Sequence, residues 1–275
     1  MTLLVRSYIA NAQAPSRIRV RRLPSGPLPH DLAEQMARFE RRFVRAFGSC
    51  APVYRLHAHD YNCLYRSIGR PVTLIARSPE GQITGTLSIV LFRLAMPSGR
   101  TRRAALATNL LVLPEARTGQ TLARLVGAAF RWTAPRATTM LSVLPEGGAS
   151  RPDRLLARLG LPAMHECGRI RFVSFPVDAV DPACAADVVP SSEADVRARH
   201  RRFNTGRYAM LSGDPTLRAA RAPRWISLKD GSASACIEDY EAAKRHVLLD
   251  GSGELRMNSL SYLGARDPAA AGCII

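Results

Sequence analysis

The residues best placed to do chemistry lie between Ala104 and Arg131, in the run A-A-L-A-T-N-L-L-V-L-P-E-A-R-T-G-Q-T-L-A-R-L-V-G-A-A-F-R. An apolar strand from Ala105 to Leu113 is broken by Pro114. Ala116, Arg117, Thr118, Gly119 and Gln120 form a turn, and Thr121 leads into a helix that is apolar at Leu122, Leu125, Val126, Ala129 and Phe130. The first amides of a helix have no partner inside it and sit at the positive end of its dipole, so this turn suits a diphosphate, with Arg117 adding a point charge. Two carboxylates stand where they could take a proton: Glu115 beside the turn and Glu146 at the end of the next strand. Each is equally readable as an exposed loop carboxylate. His57, His59 and Asp60 (H-A-H-D-Y) invite a metal reading, but histidines two apart diverge on a helix and nothing nearby completes a ligand set, so no metal site is assigned and a surface or cleft loop is expected there. His165 and Cys167 (M-H-E-C) lack an orienting third group.

These residues need a scaffold, and the chain around them supplies one. Ile18–Leu23 alternates apolar and basic residues as a half-exposed strand does. Asp31 is placed to cap a helix with an apolar stripe of Leu32, Met36, Phe39, Phe43 and Phe47. Cys50–Gly69 reads as a second short helix with loops. Pro71–Ser78 and Ile83–Leu94 form a hairpin across Pro79-Glu80-Gly81-Gln82, and a polar loop, Pro97–Arg103, leads to the strand before the turn. After the helix, Ala137–Leu144 is short and apolar enough for a buried parallel strand. A loop, Pro145–Pro152, a helix, Asp153–Leu159, and a strand, Arg169–Val177, follow.

This order of elements, with Val112, Pro114, Glu115 and Arg117 before the helix and the paired apolar residues Leu125 and Val126 inside it, resembles the GCN5-related N-acetyltransferase (GNAT) superfamily. The I-x-G-T-L after the hairpin turn and the Leu159-Gly160-Leu161 ending also resemble that family. The sequence departs from it where two small residues are the rule, carrying Gln120 and Leu122 with Gly119 one place early, and it lacks the family's helix tyrosine. The resemblance implies an α/β fold with a mixed sheet, an acyl-CoA donor (acetyl-CoA or another acyl-CoA), and a fifth strand that splays from the fourth to receive the pantetheine arm. It further implies a cofactor site at Leu111, Val112, Leu113, Arg117, Thr118, Gly119, Gln120 and Thr121. A backbone amide, of Val112 or Leu113, would polarise the thioester carbonyl.

The remaining residues open with a linker-like run, Asp178–Ser192, then a basic helix, Glu193–Phe203. Trp225–Leu228 and Ala233–Ile237 form a hairpin, and Glu254–Leu263 is a strand candidate. N-L-L-V-L-P-E-A-R from Asn109 and N-S-L-S-Y-L-G-A-R from Asn258 share Asn, Leu, Ala and Arg at equal offsets, and Asp267-Pro268 would open a helix after the second copy. The expected organisation is therefore a GNAT-like acyltransferase domain over 1–178 and a smaller or incomplete GNAT-like unit over 179–275. An α+β appendage on a single domain is the alternative.

Composition sets the outer bounds. An apolar fraction of 47% over 275 residues belongs to a globular chain with room for two cores. The net charge of +17 raises nucleic acid as a partner, but the basic residues are arginines apart from Lys229 and Lys244 and are spread along the chain, which suits solvated faces first and an anionic ligand such as CoA second. Six scattered cysteines point to a reducing compartment, and with neither a signal run nor a membrane-length apolar segment the expectation is a cytoplasmic protein. The functional expectation is transfer of an acyl group from acyl-CoA to an amine of a small or amino-acid-like acceptor. The rivals are a GNAT-like binding module without catalysis and a basic nucleic-acid-binding protein.

Overall fold

The structure, a computed structural model, describes residues 18–44, 52–57, 60–66, 68–117, 120–143, 156–165, 187–206, 209–211, 223–239, 244–255 and 258–274. Its first half runs β1 (Arg19–Arg22), α1 (His30–Arg41), β2 (Val53–His57), α2 (Cys63–Arg66), β3 (Arg70–Arg77), β4 (Ile83–Ala95), β5 (Thr101–Val112), α3 (Gln120–Thr133) and β6 (Thr139–Ser142). The second runs β7 (Val188–Pro190), α4 (Glu193–Phe203), β8 (Ala209–Leu211), β9 (Arg224–Leu228), β10 (Ala233–Asp239), β11 (Lys244–Leu248), β12 (Glu254–Leu255), β13 (Asn258–Ala265) and α5 (Pro268–Ile274).

The two halves follow one plan. The first sheet has the order β1-β3-β4-β5-β6 and the second β13-β10-β9-β7, so β7, β9, β10 and β13 repeat the parts of β1, β3, β4 and β5. Helix α1 lies between β1 and β3 as α4 lies between β7 and β9, and a helix follows both β5 and β13. All neighbours are antiparallel except β5 and β6, which run parallel as the short apolar run after α3 requires.

Each half also lends a strand to the other. β2, in the link between α1 and β3, pairs with β11 from Lys244↔His57 to Leu248↔Val53, and β8, in the corresponding link between α4 and β9, pairs with β4 from Arg93↔Leu211 to Ala95↔Ala209. These strands are where the sequence reading is corrected: β2 falls inside a stretch read as helix and loop, β7 inside the linker-like run, and the single strand Glu254–Leu263 divides into β12, paired with β11, and β13, paired with β10.

The first sheet is covered on both faces. On one side Met36 and Phe39 of α1 pack with Leu23, Tyr61, Ile75, Leu111 and Leu113; on the other Leu125 and Ala129 of α3 pack with Leu74, Ala76, Leu87, Ile89 and Ala105. A fully buried leucine such as Leu125, 0% exposed, contributes roughly 1.5–3 kcal/mol. Helix α3 lies so close to β4 that a Cβ on Gly85 would stand 2.9 Å from Leu125 Cδ1 and 3.0 Å from Thr121 Cγ2. Helix α1 begins one residue before Asp31, which sits in its first turn rather than capping it; no side chain caps this helix. Helix α4 is capped by Ser192 Oγ accepting from the Asp195 amide at 3.1 Å. Phe47, Asp153–Leu155 and Arg169–Val177 lie outside the described residues, and of the helix expected before Gly160 the described part, 156–158, is helical.

Candidate functional site

The site grows from an irregularity in β5. Pairing with β4 runs Thr86↔Leu111 and then Ser88↔Thr108, so Leu87 alone faces both Asn109 and Leu110. This is a β-bulge, and Asn109 makes it with φ of 52°, a left-handed conformation that asparagine tolerates better than most side chains. The extra residue switches the faces of the strand. Ala105 and Ala107 pack toward α3, whereas beyond the bulge Leu111 and Leu113 pack toward α1.

A buried polar array braces the bulge. Asn109 Nδ2 donates to Tyr61 Oη at 2.6 Å, the Tyr61 hydroxyl hydrogen-bonds that of Thr86, and Thr86 Oγ1 donates back to the Asn109 carbonyl at 3.2 Å. The main-chain oxygen that the bulge turns out of the ladder is thereby satisfied. The Tyr61 ring stacks on His57 with centroids 4.0 Å apart. His57 in turn is tied to Glu40 twice: its amide donates to Oε2 at 3.0 Å and its Nδ1 bonds Oε1. The Glu40 contact assigns the ring proton to Nδ1 and leaves Nε2, which is buried and has no hydrogen-bond partner among the described residues, as a lone pair. Burial holds the His57 pKa below the usual imidazole value against the opposing pull of Glu40. Burial, reinforced by the Glu40 charge, pushes the Tyr61 phenol well above its usual value, so it stays protonated.

The other edge of β5 faces β6. The two strands pair from Ala104↔Thr139 to Ala107↔Ser142, and Ser142 Oγ donates to the Ala107 carbonyl at 3.2 Å. Among the described residues β6 goes no further, and Thr108–Val112 has no strand partner on that side. Leu113 N donates to Thr84 O at 3.0 Å, so by the alternation of a strand the amides of Leu113 and Leu111 point to β4 while those of Val112 and Leu110 point to the unpaired edge. Arg117 folds back along this edge, its Nε donating to the Val112 carbonyl at 3.2 Å. A single 3-10 turn, Pro114–Ala116, then carries the chain toward α3.

No protein-family model and no curated protein sequence matches the chain. Solved structures do. The chain is similar to N-myristoyltransferase of Saccharomyces cerevisiae with bound myristoyl-CoA and inhibitors, at 11% identity and a TM-score of 0.53, covering 94% of this chain and 68% of that one. Two further crystal structures of that yeast protein, each with bound myristoyl-CoA, match at 10% identity over 94% of this chain: one with a TM-score of 0.51 over 67% of its own chain, the other with 0.50 over 70%. The chain has the GNAT fold. The match takes in the second half as well as the first, in keeping with the repeated strand order.

Within the GNAT fold the residues read from sequence meet different fates. Val112 presents its amide to the unpaired edge, and so does Leu110, which the sequence reading passed over. The Leu113 amide is taken by Thr84, and the Leu111 and Leu113 side chains are core. The Thr121 side chain is fully buried against Gly85, leaving its amide as the group it could offer. Gln120 is exposed, and Thr118, Gly119 and Glu146 lie outside the described residues. Glu115 is exposed and ion-paired with Arg42 at 3.1 Å; its own backbone amide, and then Arg42, hold its carboxyl below the usual range, which makes it a weaker base.

The H-A-H-D-Y segment is not a surface loop at its first histidine: His57 ends β2 with its side chain 1% exposed. Asp60 pairs with Arg66, His59 lies outside the described residues, and among the described residues no cluster could hold a metal. Glu40, Arg55, Tyr61 and Thr86 carried no site assignment. One signal was readable for Glu40: four residues after Met36 and one after Phe39, it puts a carboxylate into the apolar stripe of α1.

Proposed function

We propose that the protein is an acyl-CoA-dependent N-acyltransferase acting on the amine of a small acceptor. The observation that carries this reading is the β5 edge beyond Ala107, where a bulge turns the Leu110 and Val112 amides toward a side that has no strand partner among the described residues. A pantetheine arm laid along that edge makes strand-like hydrogen bonds, and the amide nearest the bulge, Leu110 or Val112, polarises the thioester carbonyl. The diphosphate sits over the turn before α3, receiving Arg117 and the amides of Thr118, Gly119, Gln120 and Thr121. The acceptor amine nitrogen attacks the thioester carbon, the carbon–sulfur bond breaks, the nitrogen gives its proton to water or a side-chain base, and the thiolate takes one up. Glu146 and Glu115 are the bases the sequence nominates, and the charge state of Glu115 favours Glu146.

The reading takes 1–178 as the catalytic GNAT-like domain and 179–275 as the second unit, with acetyl-CoA as the first donor to try and myristoyl-CoA, the ligand of the yeast structures, as the second. Calorimetric titration with both tests it. Saturable binding of either is the supporting result, and no heat with either at several times usual cofactor affinities rejects it. Gln120 and Leu122, where the family has small residues, favour a second reading as a non-catalytic ligand-binding module, which binding without turnover would support. Arg19, Arg21, Arg124 and Arg131 line a groove of about 480 Å³ between β1 and α3, which with the net charge of +17 favours polynucleotide binding as a third reading; a steep fall in DNA affinity with salt would mark it.

A further inference from the structure

The outer edge of the first sheet is open. β1 is its terminal strand, and Leu23 N donates to Thr73 O at 2.8 Å. By the alternation of an antiparallel ladder the amides and carbonyls of Arg19, Arg21 and Leu23 therefore point to β3, while those of Ile18, Val20 and Arg22 point outward. The Ile18 carbonyl is met there by Arg124 Nη1 of α3 at 3.2 Å. Among the described residues nothing meets the outward amide and carbonyl of Val20 or of Arg22. The groove of about 480 Å³ between β1 and α3 runs along this edge, floored by Ile18 and Val20, which pack against the core beneath α3. Arg19 and Arg21 leave the strand on the face that Leu23 shares with α1, and Arg124 and Arg131 stand on the face covered by α3. Arg19, Arg21 and Arg131 are exposed, and among the described residues no carboxylate pairs with any of them.

We propose that this edge takes up an extended segment of a partner protein as a further strand, and that the segment is acidic at every second position. A strand laid beside β1 satisfies the open groups of Val20 and Arg22 with main-chain hydrogen bonds, and its side chains point alternately to the two faces. Those on the α1 face meet Arg19 and Arg21, which calls for carboxylates. Those on the α3 face lie beside Ile18 and Val20, which suits apolar residues, and the guanidiniums of Arg124 and Arg131 attract the acidic segment as a whole. Charged residues on an edge strand keep like strands apart, and Arg19 and Arg21 do so here, because a second copy of β1 would set arginine against arginine. A strand of the opposite sign meets the same charges as attraction. A phosphate backbone can use the arginines and an amide, but its phosphates offer no donor to the Val20 and Arg22 carbonyls, and this favours a peptide over a polynucleotide in this groove. The surface is independent of the acyl-transfer reading, since β3 and β4 separate β1 from the open stretch of β5.

The test uses the full chain and labelled probes: a capped octapeptide alternating glutamate and valine, a capped octapeptide of the same composition with its glutamates in one block, and a single-stranded DNA octamer. Fluorescence anisotropy gives the affinities, and amide hydrogen exchange followed by NMR shows which main-chain groups are engaged. The alternating peptide should bind more tightly than the blocked one, and Arg19→Glu with Arg21→Glu should weaken it by about 5-fold or more, as reversing two surface charges does. On binding, the Val20 and Arg22 amides should exchange at least about 10-fold more slowly, while those of Arg19 and Arg21, already in the ladder, keep their rates. Charge reversal acts on any anion, so N-methylation of the peptide supplies a second measurement that leaves the protein untouched. Methyl groups on the amides of one peptide edge should abolish binding, and on the other edge should leave it within about 3-fold. The proposal is overturned if the blocked peptide binds as well as the alternating one, if both methylated series bind alike, or if Val20 and Arg22 gain no protection. Protection of those two amides by self-association, without any peptide, would overturn it in favour of a dimer, and DNA binding that displaces the peptide and leaves both amides unprotected would give the groove to a polynucleotide.

Discussion

Asn109 and Tyr262 occupy the same place in two copies of one structural unit. Both have φ of 52°, both lie at a bulge in the last strand before a helix, and both bulges face the longest strand pairing of their sheet, β4 with β5 and β10 with β13. Around Asn109 stand Tyr61, Thr86 and Arg55; around Tyr262 stand His200, Trp225 and Arg197, with His200 edge-on at 5.4 Å between ring centroids and the Arg197 guanidinium 5.5 Å from the ring centre. The first bulge is lined by hydrogen-bonding groups and the second is packed with rings, which is why the first is the candidate for chemistry.

The backbone at these bulges gives the first prediction. Glycine enters the left-handed region freely and alanine does not, so Asn109→Ala should unfold at lower denaturant than Asn109→Gly, by roughly 1 kcal/mol. Both lose the same side-chain hydrogen bonds, and the difference isolates the backbone. Equal midpoints would mean the bulge relaxes.

A second prediction concerns Gly85. Any side chain there meets Leu125 and Thr121 at 3 Å or less, and α3 must lift away from β4. Gly85→Val should cost about 1–3 kcal/mol by urea unfolding, and because the turn proposed for the diphosphate opens α3, acyl-CoA affinity should fall with it. Unchanged affinity would detach the turn from the packing of the helix.

Charge reversal at Arg117 is the third. With the guanidinium lying along the β5 edge at Val112 and exposed to solvent, Arg117→Glu should abolish acyl-CoA binding by calorimetry while leaving the melting temperature within a degree or two, as surface substitutions usually do. Retained affinity would remove this residue from the site.

His57 gives a pH dependence with a definite sign. Its pKa is lowered on folding, so the unfolded chain takes up a proton as pH falls through about 6.5 while the native imidazole stays neutral, and stability is lost on the acid side. The groups that face it are Glu40 on α1, Tyr61 and Tyr65 around α2, Lys244 on β11 and Arg55 on β2. Between about pH 7.5 and 5.5 the wild type should lose more stability than His57→Gln. Parallel pH profiles would contradict the buried neutral ring.

The exchanged strands predict one cooperative unit. Because β2 completes its ladder with β11 and β8 extends that of β4, neither half closes its hydrogen bonds alone. Trp132 reports on the first half and Trp225 on the second. Single-tryptophan variants, Trp132→Phe and Trp225→Phe, should melt at coincident midpoints, and two separated transitions would show the halves to be independent.

What the sequence determined by itself was everything set within a short window. The apolar spacing of α1 as far as Phe39 and of α3, the Pro79–Gln82 hairpin turn, the strand–turn–helix around Pro114 and the helix starts at Glu193 and Pro268 are local matters of periodicity and capping, and they stand in the structure, although α1 ends at Arg41, short of Phe43. The resemblance carried by Val112, Pro114, Glu115 and Arg117 led to the right fold. The internal repeat was also visible, but four residues out of register: the sequence pairs Asn109 with Asn258, and the bulges pair it with Tyr262.

Only the tertiary structure decided the rest, because the deciding interactions join residues far apart in the chain. Val53–His57 becomes a strand through β11, a partner nearly two hundred residues away. Which amides of β5 face the open edge depends on a bulge, and a bulge is the one device that defeats the period-two rule by which strand faces are read from sequence. Glu40 and Arg55 have the composition of surface residues, and folding draws both to the bulge, Glu40 buried against His57 and Arg55 half-buried beside Asn109.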